Sequence, residues 1–247
     1  SSGWRNYRCQ EYDFNDKIDD PNIPNEIWYT STDGKIVQPY RTDAFGANII
    51  SNTYSDGKGV IKFDNDVYQI FNYTFYECSN LKRIILPNSV ESICEYAFRS
   101  ASNLTSVTLP GSVAIIYNRA FYECANLEEV NLSEGVYQIG EFSFYKCTKL
   151  KRINLPNSLK HIGAYSFYNC SSLEDMTLPE SLLCIEQDAF NGCSSLKEVA
   201  IPNSLTSIGT SIFSNCTNLS KATIGTGIKS IGYKMFFNCK SLTSVSM

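Results

Sequence analysis

The chain has 247 residues, 43% of them hydrophobic and 19% charged, with a formal net charge of -4 and a sequence pI of about 5.2. Charges of both signs are interspersed and no lysine/arginine cluster occurs, which argues against a nucleic-acid partner. No uninterrupted apolar run reaches the length of a membrane-spanning helix, while the apolar content suffices for a continuous core.

In chain order, Ser1 to Pro24 is polar and acidic and is read as an irregular lead-in or linker, residues 1–24. Asp13 and Asn15 have the look of a calcium loop, but Lys17 stands where a third oxygen ligand is needed and neither the glycine nor the distal glutamate follows. No secretory signal or anchor is recognised, and a start at Ser-Ser-Gly leaves the compartment open. Residues 25–59 read as an N-terminal β-hairpin cap. Glu26 to Thr30 and Lys35 to Gln38 flank Asp33-Gly34, and Asn48 to Tyr54 and Val60 to Phe63 flank Ser55-Asp56-Gly57-Lys58-Gly59, so two hairpins are expected.

From residue 60 to 247 one pattern repeats without a slip. An opening leucine recurs every 23 residues at Leu81, Leu104, Leu127, Leu150, Leu173, Leu196, Leu219 and Leu242. A period of this size marks a solenoid, whose units bury their apolar side only against their neighbours and therefore need capped ends. In the copy from Leu173, the buried slots are Leu173, Met176, Leu178, Pro179, Leu182, Ile185, Phe190 and Cys193. Ile61, Phe63, Val67, Ile70, Phe75 and Cys78 already stand in this register.

Each Leu-x-x-Ile-x-Leu-Pro alternates with period two and ends at proline, so it predicts a short strand of a parallel sheet, with Ile84 and Leu86 inward and Arg83 and Ile85 outward. The Ser-Val-x-x-Ile-Gly that follows predicts an extended or turn-like segment. The phenylalanine slot is filled from Phe75 to Phe236 and lies three before the cysteine slot, which suits one helical turn. The glycine slot (Gly140, Gly163, Gly209, Gly232) also takes Phe71, Cys94, Tyr117 and Glu186, so close packing rather than positive φ explains it.

Of ten cysteines, seven share one slot (Cys78, Cys124, Cys147, Cys170, Cys193, Cys216, Cys239), where Ala101 stands in the remaining copy. A slot that accepts alanine wants a small apolar group, and parallel side chains point the same way rather than at each other, so free buried thiols are expected. Cys9, Cys94 and Cys184 lie outside this ladder, and no spacing suggests zinc.

These residues resemble the BspA-like leucine-rich repeats. The pattern Leu-x-x-Ile-x-Leu-Pro-x-Ser-Val/Leu-x-x-Ile-Gly-x-x-x-Phe-x-x-Cys is met by Leu150, Ile153, Leu155, Pro156, Ser158, Leu159, Ile162, Gly163, Phe167 and Cys170. The segment Trp28 to Lys35 is similar to one that precedes such repeats in surface proteins of gut and oral anaerobic bacteria. Departures are Ser133 and Gly225 in the proline slot and Ala101 in the cysteine slot. The resemblance implies an α/β, β-rich leucine-rich-repeat solenoid, right-handed, of eight 23-residue repeats with short helical turns. It also implies a non-catalytic, monomeric module at a cell surface that recognises a host or partner protein or glycan, and it brings no cofactor, metal or catalytic residue.

Two candidate surfaces follow from the slots. Directly after the phenylalanine slot stand Tyr76, Tyr122, Tyr145, Tyr168 and Phe237, and two before it stand Tyr73, Tyr96, Phe142 and Tyr165. Residues beside a buried phenylalanine cannot all be buried with it, so these form either an exposed aromatic binding stripe or half-buried cover for the turns. The second candidate is the outward strand face: Arg83, Glu129, Arg152, Asp175, Glu198 and Lys221, beside Glu128, Lys151, Glu174 and Lys197, which alternate in sign across neighbouring strands. It reads either as cross-strand charge pairing or as a mixed-charge recognition surface.

The single histidine, His161, sits in a variable slot and reads as a surface residue, and no nucleophile, phosphate-loop or metal motif appears. A glycan-active enzyme would need paired carboxylates, yet Glu128/Glu129 and Glu174/Asp175 are sequence neighbours that diverge on a strand. An intracellular interaction scaffold remains the other alternative, favoured by free thiols. The sequons at Asn72, Asn103, Asn131, Asn169, Asn215 and Asn218 are read as by-products of the repeat.

Overall fold

The computed structural model describes residues 25–247, a solenoid of parallel strands about eight turns long. The expected lead-in and its excluded calcium loop, together with Cys9, lie outside the described residues. Each coil makes hydrogen bonds to its neighbours on three sides. The first is a ladder of longer strands: Leu81–Ile85, Ser106–Thr108, Glu129–Asn131 and Arg152–Asn154 pair in parallel, one repeat apart. The second is an unbroken ladder of two-residue strands from Gln69–Ile70 through His161–Ile162 to Ser207–Ile208. Between Asp175 and Glu198 the longer ladder is interrupted. The coil opening at Leu173 contributes only the bridge from Arg152 to Asp175, and Glu198–Ile201 starts a separate sheet with Lys221–Ile224 and Ser244–Ser246. Met176 stands there in the slot that β-branched Ile or Val fills in most other coils, and an unbranched side chain favours a strand less.

The third side corrects the expected helical turn. No described residue is helical. Around Phe144, the amides of Tyr145 and Cys147 donate locally to the carbonyls of Phe142 and Phe144 (3.2 and 3.1 Å), while those of Phe142, Phe144 and Lys146 donate to the next coil at Ala164, Ser166 and Tyr168 (2.9, 2.7 and 2.8 Å). A helix would send every amide back along its own coil; here alternate ones serve the neighbour. That alternation requires left-handed residues two before and two after each phenylalanine, as at Phe142 (φ 55°) and Lys146 (φ 56°). Such residues cost on the order of 1–3 kcal/mol each, and inter-coil hydrogen bonds hold them.

At the centre the phenylalanines form a single file. From Phe75 to Phe213 successive rings are fully buried and stacked, with centroids 5.0–5.6 Å apart and planes within 10°. Side chains reinforce the coils at fixed slots. The serine of Pro-x-Ser donates to the carbonyl of the preceding coil, Ser158 to Val136 and Ser181 to Leu159, both at 2.8 Å. The cysteine ladder does likewise: Cys124 Sγ donates to the Phe98 carbonyl at 2.9 Å and Cys170 Sγ to that of Phe144 at 3.1 Å. All nine described cysteines are free. The glycine slot is a close approach, as expected, since a β-carbon on Gly163 would lie 2.7 Å from the Glu141 nitrogen and Gly163 has no positive φ.

The N-terminal cap differs from expectation in one respect. The second hairpin forms between the strands we label β2, Ile49–Ser55, and β3, Lys58–Phe63, but the first does not. The strand β1, Glu26–Ser31, runs antiparallel between β3 and Leu81–Ile85, and Lys35 to Gln38 is not a strand. Pairing on both edges beats an isolated two-stranded hairpin, which is marginal in water. β1 buries Ile27 and Tyr29 inward and turns Trp28 outward onto Val60 and Ile85, so Ile85 faces out as predicted yet is only 6% exposed. Gly59 is needed here because a β-carbon would run into the Tyr29 ring. Phe45, in a turn of its own, closes the end of the phenylalanine file edge-on, 5.9 Å from Phe75.

Candidate functional site

The turn geometry sets the aromatic positions. In every coil the residue two before the buried phenylalanine is left-handed, which turns its side chain off the core beside that of the residue just after the phenylalanine. The stripe residues Tyr73, Tyr76, Tyr96, Tyr122, Phe142, Tyr145, Tyr165 and Tyr168 are accordingly half-buried. Each ring thus covers the turns with one edge and meets solvent with another.

The eight form two files along the solenoid axis. In one, Tyr73 stacks on Tyr96 at 5.0 Å and Phe142 on Tyr165 at 4.8 Å. In the other, Tyr122, Tyr145 and Tyr168 stack at 4.8 and 5.2 Å, with planes within 11°. The files touch edge-on within a coil, as at Tyr73 and Tyr76 (5.6 Å) and Phe142 and Tyr145 (5.6 Å). Phe237, 57% exposed, is not brought to this group; Asn191 and Ser214 fill its file in the intervening coils, and it lies with Lys234, whose Nζ is 5.4 Å from its ring.

Sequence reasoning missed two members. Arg99 fills the gap between Tyr76 and Tyr122, 5.7 and 5.4 Å from their ring centres, and Arg119 fills the gap between Tyr96 and Phe142, at 5.7 and 4.9 Å. A planar guanidinium replaces a ring in the stack, held by cation–π attraction. The signal was present, since each arginine stands in an aromatic slot between two coils that carry a ring there. Tyr40, 5.3 Å from Tyr76, extends the stripe into the cap. Burial raises the phenol pKa of Tyr122 and Tyr165, helped by Glu123 and Asp188, and a hydrogen bond with Glu77 raises that of Tyr76, so these hydroxyls remain protonated donors at neutral pH.

The second candidate surface is partly paired with itself. Lys151 meets Glu128 at 3.5 Å, Lys197 meets Glu174 at 3.0 Å and Lys221 meets Glu198 at 3.8 Å, all exposed and each one coil apart. The lysine holds the Glu174 carboxyl below its usual range. Arg83, Glu129, Arg152 and Asp175 line the same face without an ion pair among the described residues. His161 is exposed on the short ladder between Gln138 and Cys184. Among the described residues no cluster of three or more His, Cys, Asp or Glu side chains could hold a metal ion, and no helix is long and apolar enough to cross a membrane.

The model of the BspA type leucine-rich repeat region matches residues 48–174 and 160–247, in six copies. The chain belongs to this family. The BspA-type chain is similar to a leucine-rich repeat protein of T. pallidum, TpLRR, at 33% identity over 67% of this chain and 74% of that one, with a TM-score of 0.58. It shares its fold with a leucine-rich cell surface protein of Faecalibacterium prausnitzii, at 20% identity over 81% of this chain and 68% of that one, with a TM-score of 0.57. No curated protein matches it.

Proposed function

We propose that this BspA-type protein is a non-catalytic, monomeric recognition module displayed at a cell surface, binding a host or partner macromolecule, protein or glycan, through its aromatic stripe. The observation that carries this reading is the continuity of the stripe: eight half-buried rings from Tyr73 to Tyr168, joined by Arg99 and Arg119 without a gap. Tyrosine combines apolar area with a hydroxyl at low conformational cost, and half-buried tyrosine and arginine are the residue types on which binding energy concentrates. Membership of a repeat family that serves interaction rather than catalysis supports it, as does the cell-surface description of the F. prausnitzii relative.

The outward strand face is the weaker candidate, since much of its charge is spent on cross-strand pairs. The same pairs weigh against a glycan-active enzyme, because Glu128 and Glu174 are each tied to a lysine. An intracellular scaffold is the second reading, favoured by nine free cysteines, which sit poorly with an oxidising compartment. The test is a host-protein and glycan array probed with the wild-type chain and with a Tyr122→Ser/Tyr145→Ser/Tyr168→Ser variant. Loss of the detected binding is expected, and binding left unchanged by the triple variant refutes the stripe.

A further inference from the structure

The stripe's rings lie face to face along the axis, so their faces are used up by one another and by the arginines. A sugar ring stacks on an open aromatic face, and the interior of this stripe offers none. Solvent meets ring edges, which carry the positive end of the aromatic quadrupole, and phenol hydroxyls, which donate. The two arginines continue this pattern: with rings over their faces, their N–H groups are left in the plane, in the fork that fits a carboxylate. Neither has an ion-pair partner among the described residues, and Arg99 Nε is buried without a hydrogen-bond acceptor.

The acids bordering the arginines narrow the ligand further. Glu77 is engaged with Tyr76, and Glu123 lies 3.7 Å from Lys146, while Glu95 and Glu141 directly precede Tyr96 and Phe142. A dense polyanion laid along the stripe would meet these carboxylates, whereas one isolated acid among apolar neighbours would not.

We propose that Arg99 and Arg119 are the anchor of the stripe and receive a single aspartate or glutamate side chain from an extended, otherwise apolar segment of a protein partner. This rests on the aromatic-stripe reading and selects protein over glycan.

The experiment is selection of a displayed library of random dodecapeptides on the wild-type chain, followed by measurement of the enriched peptides by fluorescence anisotropy. Enrichment of sequences with one acid among apolar residues is expected. Their affinity should fall at least about tenfold when that acid is made Asn or Gln, when Arg99→Gln or Arg119→Gln is introduced, and less in Arg99→Lys, as for a charge-assisted fork. No enrichment, enriched peptides without an acid, or affinities indifferent to the peptide's own carboxylate overturn the proposal, and the last of these needs no protein variant to fold. Saturable binding of cellohexaose or heparin that is lost in the triple tyrosine variant would overturn the choice of a protein partner. Loss of peptide in the tyrosine variant with no change in the arginine variants would leave the stripe standing and remove its anchor.

Discussion

Phe167→Ala tests the stacked core at its most demanding point. The ring is fully buried and lies between Phe144 and Phe190, with centroids 5.2 and 5.1 Å away. Truncating a buried phenylalanine costs about 3–5 kcal/mol through lost transfer energy and the cavity left behind. Two ring pairs vanish as well, each worth about 0.5–1.5 kcal/mol, and coils pinned above and below by their ladders cannot collapse into the gap, so a loss near 5 kcal/mol is expected. Phe236, half-buried at the end of the file with the single stacking partner Phe213 at 5.9 Å, supplies the control, and Phe236→Ala should cost about 2 kcal/mol. Urea titration followed by far-UV circular dichroism reads both, because both tryptophans, Trp4 and Trp28, precede the repeats in sequence and the central coils carry none. A loss below 1 kcal/mol for Phe167→Ala, or equal losses for the two variants, would refute a continuous aromatic file as the core.

The thiol ladder makes a prediction about pH. Burial pushes the Cys78 thiol up to about 11 and that of Cys124 up to about 12, from an ordinary 9.0. A folded value raised above the unfolded one means that the stabilisation is complete below pH 9 and is lost as pH rises beyond it, so urea midpoints should fall between pH 8 and pH 10. A variant with Cys147, Cys170 and Cys193 changed to alanine should show a flatter profile, and identical slopes would refute the ladder's part. In native protein at pH 8, iodoacetamide should modify, among the described cysteines, Cys94, Cys184 and Cys239 ahead of the buried ones, as peptide mapping would read. Ser181→Ala removes the bond to the Leu159 carbonyl and should cost about 0.5–1.5 kcal/mol, more than Lys197→Ala, whose exposed partner Glu174 should leave the urea midpoint unmoved. Gly163→Ala should lower the midpoint, since its β-carbon meets the backbone of Gly140 and Glu141 at 2.7 Å, neither of which can swing away.

Most of the repeat was legible because it is periodic: one register of Leu, Ile, Phe and Cys, read off a single copy, places the core of every coil that follows. The stripe positions were legible as slots for the same reason, although Arg99 and Arg119 were overlooked by looking for aromatic residues alone. The roles of Ser158 and Cys170 were not legible, because each bonds to a carbonyl in the preceding coil and composition cannot distinguish a small apolar filler from a donor. Asp43-Ala44-Phe45 repeats the Asp188-Ala189-Phe190 of a coil turn, a signal that would have found the edge-on cap.

By itself the sequence determined which side chains face the axis and how often, since burial follows a repeat that local chemistry imposes on every coil alike. The tertiary structure alone decided three things: that the turns alternate left-handed residues in place of a helical turn, that β1 slips between β3 and Leu81–Ile85, and that ring faces are closed while edges stay open. Each depends on where the hydrogen bonds and rings of an adjacent coil lie, and a chain read one residue at a time does not contain the coil stacked upon it.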